Sequence, residues 1–144
     1  MVSADIIRKL PYGTPFLFVD EILAVDSDSI TGSYRFDADA EFYKGHFKEF
    51  PVTPGVILTE TMAQIGLVCF GIYLIGSKPI KSDIAMTSAE TEFLKPVFPG
   101  EKVTVKAEKI YFRFGKLKCS ITMHNEKNEI VCTGTIAGII LNYE

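Results

Sequence analysis

Apolar and polar residues alternate with period two in three stretches of the chain. Ile30, Gly32, Tyr34 and Phe36 alternate with Thr31, Ser33 and Arg35; Val103, Val105 and Ala107 with Thr104, Lys106 and Glu108; Leu117, Cys119, Ile121 and Met123 with Lys118, Ser120 and Thr122. That period turns one face to a core and the other to solvent, which predicts half-buried strands. Phe16 to Val25 is rich in β-forming residues and ends at the turn-like Asp26-Ser27-Asp28-Ser29, so it is expected to form a hairpin with the 30–36 strand. Ile84 to Val97 is a weaker strand candidate, closed by Phe98-Pro99-Gly100. Gly115 and the polar stretch Asn125 to Glu129 mark turns, and Ile130 to Leu141 reads as the last strand.

Between these strands the pattern changes. From Val56 to Ile75 most positions are apolar on every side. A helix that is hydrophobic all round is a buried one. Thr53 is a good N-cap and Pro54 suits the first helical position, so the helix is expected to begin there. It would run roughly 30 Å. Gly66, Gly71 and Gly76 read as packing notches, with Gly76 also a candidate C-cap. Residues 37–53, with Gly45, Pro51 and several aromatics, read as an irregular functional loop.

Strands, one long buried helix, then a meander of strands make an α+β domain, an antiparallel sheet wrapped round one helix. Its 144 residues suit a single domain spanning 1–144. Such a sheet has edges and the helix needs cover on all sides, so a dimer at least is expected.

Composition narrows the class. An apolar fraction of 47% and a charged fraction of 23% are ordinary for a soluble globular protein, and a net charge of -3 gives no reason to expect nucleic-acid binding. Thr61 to Ser77 is uncharged for 17 residues, short of the ~20 of a typical membrane span, and reads as a buried helix. Met1 to Leu10 lacks a signal-peptide core. Cys69, Cys119 and Cys132 have no paired spacing and lie in apolar stretches, which predicts buried free thiols in a reducing, cytoplasmic setting. Two histidines 78 residues apart match no zinc spacing, so neither a metal nor any other cofactor is expected. Charge is uneven: residues 19–50 balance to -5 and residues 95–118 to +5. The two readings are solvated strand faces and a docking patch for an acidic partner.

The candidate chemistry is concentrated in one region. His46 lies between Gly45 and Phe47 in the loop that feeds the helix. A lone loop histidine is often structural or merely exposed. Glu60, inside the most apolar helix of the protein, is harder to explain that way, because an ionised carboxylate is costly there. Gln64, four residues on, is one structural partner that would satisfy it. The other reading is an acid/base pair flanking a helix N-terminus. His124, beside the polar turn at Asn125, is assigned no function.

The segment GHFKEFPVTPGVILTETMAQ resembles the β-hydroxyacyl-(acyl carrier protein) dehydratases of the FabZ type, which carry Gly-His-Phe-Pro, Pro-Val-x-Pro-Gly-Val and Glu-Ala-Met-Ala-Gln. The family's spacing of fourteen is kept from His46 to Glu60. LPYGTPFLFVDEI is similar to the family's opening and FLKPVFPGEKV to its Pro-Gly-Asp segment, so the likeness spans roughly residues 9 to 141. The isomerising FabA-type relatives use Asp at the acid position, and Glu60 therefore favours the FabZ side. Tyr12-Gly13-Thr14 replaces His-Arg-Tyr, Lys48-Glu49-Phe50 replaces Pro-Gly-x, and Thr61 replaces Ala. These departures fit a divergent branch, in fatty acid or in polyene or aryl-polyene synthesis.

The resemblance implies a hot-dog fold and dehydration of 3-hydroxyacyl-(acyl carrier protein) to the trans-2-enoyl thioester. His46 of one subunit would be the base and Glu60 of another the acid. It implies a backbone carbonyl of Val52 aiming His46, and Gly55 N–H, helped by Val56 N–H, on the thioester oxygen. Gln64 is a further candidate for substrate binding. Expected partners are the acyl carrier protein with its phosphopantetheine-linked acyl chain and other copies of the chain, as a homodimer or trimer of dimers, or a related subunit in a hetero-oligomer. The rival readings are a hot-dog acyl thioesterase, a partner-dependent subunit of a hetero-oligomeric dehydratase, and a plain acyl-binding module.

Overall fold

The computed structural model describes residues 3–76 and 82–142. Met1, Val2 and Ser77, which fall in stretches read above, lie outside them. A short helix α1 (Ser3–Arg8) is followed by strands β1 (Glu21–Val25) and β2 (Ser29–Arg35). A 3₁₀ turn at Glu41–Lys44 precedes the central helix α2, which is continuous over Gly55–Ile75. Strands β3 (Ser82–Phe93), β4 (Lys102–Arg113), β5 (Lys116–His124) and β6 (Ile130–Asn142) complete the chain. The strands form one antiparallel sheet in the order β1-β2-β4-β5-β6-β3. This is the hot-dog arrangement of an antiparallel sheet round one helix.

Period-two patterning carries through to burial. Val103, Val105, Ala107, Leu117, Cys119, Ile121 and Met123 are all buried, while Lys106, Glu108 and Ser120 on the other face are exposed. The inward face meets α2, whose Ile65, Leu67, Val68, Cys69 and Phe70 are fully or almost fully buried. By length and composition α2 would also suit a membrane span, but 72% of its most apolar window is buried inside this domain. The three cysteines are free and buried.

Close approach of helix to sheet depends on two of the glycines. A Cβ on Gly66 would lie 2.6 Å from Ile121 Cδ1 and 3.0 Å from Ala107 Cβ. One on Gly71 would collide with Ile84 Cδ1 at 1.9 Å. Gly76 is not a notch, since nothing lies within 4 Å of where its Cβ would be. It is the C-cap, with φ 75° and ψ -150°, a region open essentially to glycine alone.

Three local features differ from expectation. The helix N-cap is Pro54, with Gly55 the first helical residue. The Thr53 hydroxyl is engaged instead by Tyr43, 2.6 Å away, which draws it off the helix end. The first strand begins only at Glu21, because the backbone of Phe16 and Phe18 bonds to the Gln64 side chain. The helix is also not uniform: Gln64–Cys69 is π-helical between two α-helical segments. Such turns have no distinctive residue pattern and are frequent at functional sites.

Crowding at Gly66 and backbone conformation at Gly76 predict different costs. Gly66→Val is expected to destabilise the fold by about 2–3 kcal/mol through overpacking, and Gly76→Ala by about 1–3 kcal/mol through its positive φ. Urea unfolding midpoints check both. A Gly66→Val variant as stable as the parent would mean that α2 does not press on β4 and β5 as described.

Candidate active site

The loop before α2 is held by main-chain bonds to the turn that precedes β4. Phe36 N–H donates to Glu101 O at 2.9 Å, Gly100 N–H to Phe36 O at 2.9 Å, and Thr53 N–H to Val97 O at 2.8 Å. Tyr43, 4% exposed, pins the middle of the loop through its bond to Thr53. Its sequence is irregular, but its two ends are fixed.

His46 sits in this frame. Its main-chain N–H donates to Phe42 O at 3.1 Å, and its Nδ1 lies 2.9 Å from Val52 O. A carbonyl oxygen can only accept, so Nδ1 carries a hydrogen, and in the neutral ring the lone pair a base requires is then on Nε2. A cavity of about 420 Å³ opens beside the ring, lined by His46, Phe47, Val52, Gly55, Leu58 and Phe93 among others. Ile57 and Leu58 N–H both reach Pro54 O. Gly55 and Val56 N–H, in the first turn, have no intrahelical acceptor and stand at the positive end of the helix dipole. A Cβ on Gly55 would come within 3.0 Å of the Phe93 ring, so glycine keeps this wall of the cavity open. The Val56 side chain points away and is 76% exposed.

Glu60 lies further along α2, half-buried, and the loss of water raises its carboxyl pKa above the ordinary glutamate value, only partly offset by a hydrogen bond from Gln64. Gln64 is fully buried. Its Oε1 accepts from Phe18 N–H at 2.8 Å, while Nε2 donates to Phe16 O and to Glu60 Oε2, each at 3.0 Å. The two backbone contacts fix which end of the amide is which, so an N–H must face Glu60. The alternative of a structural partner for Glu60 is thus met by Gln64, through Oε2, while the residue as a whole is only partly buried.

Tyr12 was not anticipated as part of this group. Its phenol is pushed up to about 12, first by burial and next by the charge of Glu60, which places it in the Glu60 neighbourhood. Its ring lies 6.1 Å from that of Phe16. The signal available in the sequence was its departure from the family's opening motif.

The structure brings His46, Val52 and Gly55 together round one cavity, and Glu60 with Gln64 round another feature of the same helix. Glu60 is not among the residues that line the His46 cavity. The basic stretch divides as well. Lys95 borders the cavity and pairs with Glu129 at 2.8 Å, whereas Arg113 stacks 4.5 Å over Tyr111 at the far end of β4. Lys102 and Arg113, at the two ends of that strand, are roughly 36 Å apart at the usual strand rise.

Comparison with known proteins identifies the family. The family model described as a FabA-like domain matches residues 10–133. The 3-hydroxyacyl-[acyl-carrier-protein] dehydratase FabZ of Sinorhizobium fredii is 35% identical over 97% of this chain and 90% of its own length. The FabZ of a Wolbachia strain from Drosophila simulans is 31% identical over 96% of each. Among solved structures, a thioesterase from Haemophilus influenzae superposes with a TM-score of 0.59 at 22% identity, covering 85% of this chain and 78% of that one. The PaaI protein of E. coli gives 0.62 at 15% identity, with 82% and 80% covered. At such identities these two structures speak to the fold alone. With the sequence relatives and the matching domain taken together, the chain belongs to the FabA-like family, on its FabZ-type 3-hydroxyacyl-(acyl carrier protein) dehydratase side.

Proposed function

We propose that this FabZ-type hydro-lyase removes water from 3-hydroxyacyl-(acyl carrier protein) with His46 as base and Glu60 of a second subunit as acid. The observation that carries the reading is the arrangement of His46: Nδ1 tied to Val52 O and Nε2 left free, in a cavity whose wall is a helix N-terminus. His46 Nε2 takes the C2 proton. Electrons of the C2–H bond become the C2–C3 double bond as the C3–O bond breaks, and Glu60 gives its proton to the departing hydroxyl, which leaves as water. Its raised pKa keeps Glu60 protonated to higher pH than a solvated glutamate. Gly55 N–H, assisted by Val56 N–H, stabilises the negative charge that grows on the thioester oxygen. Gln64 contributes by holding Glu60, since its own amide is fully engaged within the chain. No cofactor is required.

The separation of Glu60 from the His46 cavity supports a site shared between subunits. Strand β3 is the sheet edge beside α2, and it borders that cavity through Phe93. Joining two copies along β3 about a two-fold axis runs their helices antiparallel. It also carries the partner's β4–β5 hairpin to the end of the dimer at which the first subunit's cavity opens. Lys95 and Lys102 of one chain and Arg113 of the partner subunit then face one acidic carrier protein. A dimer joined along this edge, with a second copy or with a related subunit, is the minimal active unit, and a trimer of dimers would assemble through other surfaces. The departures from the family pattern at Tyr12-Gly13-Thr14 and Lys48-Glu49-Phe50 are the basis for a polyene or aryl-polyene setting instead of housekeeping fatty acid synthesis. Hydration of a panel of 2-enoyl thioesters, with mass detection of the carrier-bound product, tests both the reaction and the chain preference.

His46→Ala and Glu60→Gln are each expected to lower turnover by about a hundredfold or more, the usual scale for a lost acid or base, with the oligomer intact by size-exclusion chromatography. Near-normal turnover in either variant would remove that residue from the mechanism. Mixing the two inactive variants under conditions of subunit exchange should restore part of the activity, because some sites then receive an intact His46 and an intact Glu60. No recovery in exchanged mixtures would place each site within one chain. Reversing Lys95, Lys102 and Arg113 to Glu should raise the apparent KM for carrier-bound substrate and flatten its salt dependence, since surface charges act over about 8 Å at physiological salt. Turnover of a small carrier-free thioester should change little, and an unchanged KM for the carrier-bound substrate would overturn the docking surface.

A further inference from the structure

Phe47 is a costly residue in a costly place. Its φ of 57° lies in the left-handed region, where a bulky side chain is disfavoured and glycine or asparagine is the ordinary choice. Burial does not compensate for this in the chain as described, because the side chain is 63% exposed. What the conformation achieves is a face-to-face contact. The Phe47 ring lies on the His46 imidazole with centroids 4.6 Å apart and planes within 10° of parallel. The turn that follows is closed by Phe50 N–H donating to Phe47 O at 2.8 Å, so the left-handed kink is built into the loop.

We infer that Phe47 is a positioning residue that clamps one face of the His46 imidazole so that Nε2 stays aimed into the cavity. A single hydrogen bond from Nδ1 to Val52 O fixes a point and a direction but leaves the ring free to rock about that axis. A parallel ring against one face removes that freedom, because rocking would drive imidazole edge into phenyl face. It also covers that face against water and leaves the cavity side open. Aromatic character is the useful property: a flat ring matches a flat ring, and its electron-rich face favours the imidazolium formed once His46 has taken a proton. Residues held in sparsely populated backbone regions gather at active sites for reasons of this kind.

The inference rests on His46 being the base and is tested separately from it. In the unaltered protein the His46 ring protons should resonate upfield of those of His124, the only other histidine, because a stacked phenyl shields them. Phe47→Leu should abolish that shielding and lower kcat about tenfold with KM within twofold, while Phe47→Tyr, which keeps the ring, should restore both. Absence of shielding in the unaltered protein would overturn the clamp without any variant. A Phe47→Leu enzyme that keeps kcat would overturn it too. One that raises KM alone would make Phe47 a wall for substrate and not a clamp. Normal turnover in His46→Ala, by contrast, would sink the assignment of the base, while the upfield shift of His46 in the unaltered protein would still report the stack.

Discussion

A helix with no polar face needs to be surrounded, and the rest of this structure follows from that need. Most of the twenty-one residues of α2 are apolar, on every side of the helix, and a sheet of six strands curls to cover them. Each α2 residue buried against the sheet gains the transfer energy of its apolar surface, on the order of 1.5–3 kcal/mol for a side chain of Leu, Ile or Phe size. The glycines at Gly66 and Gly71 let the two layers approach closely enough for that gain to be realised. Enclosure also sets the chemistry. It puts Glu60 where water is scarce, raises its pKa, and obliges the fold to provide it with a buried donor.

That donor links one end of the chain to its middle. Gln64 satisfies Glu60 only because Phe16 and Phe18 give up strand hydrogen bonds to hold the amide in place. The loop at residues 16–18 is therefore an extension of the site, and Tyr12 at its start shares the Glu60 environment. His46 is held in a comparable way, by contacts to Phe42, Val52 and Phe47 that all come from one short loop. The two candidate catalytic groups are thus supported by different parts of the chain, and Glu60 stands apart from the cavity beside His46.

Most of the architecture was legible because burial writes itself into residue period. Alternation at 103–107 and 117–123 foretold β4 and β5, and the all-apolar run foretold α2. His46 and Glu60 were legible as a spacing within a motif. The features that escaped depend on contacts between distant residues. Nothing local in Phe16 to Asp20 says that its backbone will serve a glutamine 46 and 48 residues away. Thr53 looked like a cap because capping preferences are local, while its bond to Tyr43 is not. The π turn at Gln64–Cys69 has no residue signature, and the left-handed Phe47 runs against the preference of its own side chain.

The position of β3 has a consequence for how the chain is made. Among the described residues its one partner is β6, the sixth strand, and a ribosome adds about 5–20 residues per second. Between the end of β3 and the emergence of β6 lie about 40 residues, or roughly 2–8 seconds of synthesis. Throughout that interval β3 has two unpaired edges and α2 lacks one wall of its enclosure. β3 contains no proline or lysine to discourage pairing with a stranger. The nascent chain is therefore most exposed to misassociation after β3 has emerged and before β6 joins it, and the strand that ends the exposure is the last of the six to be made.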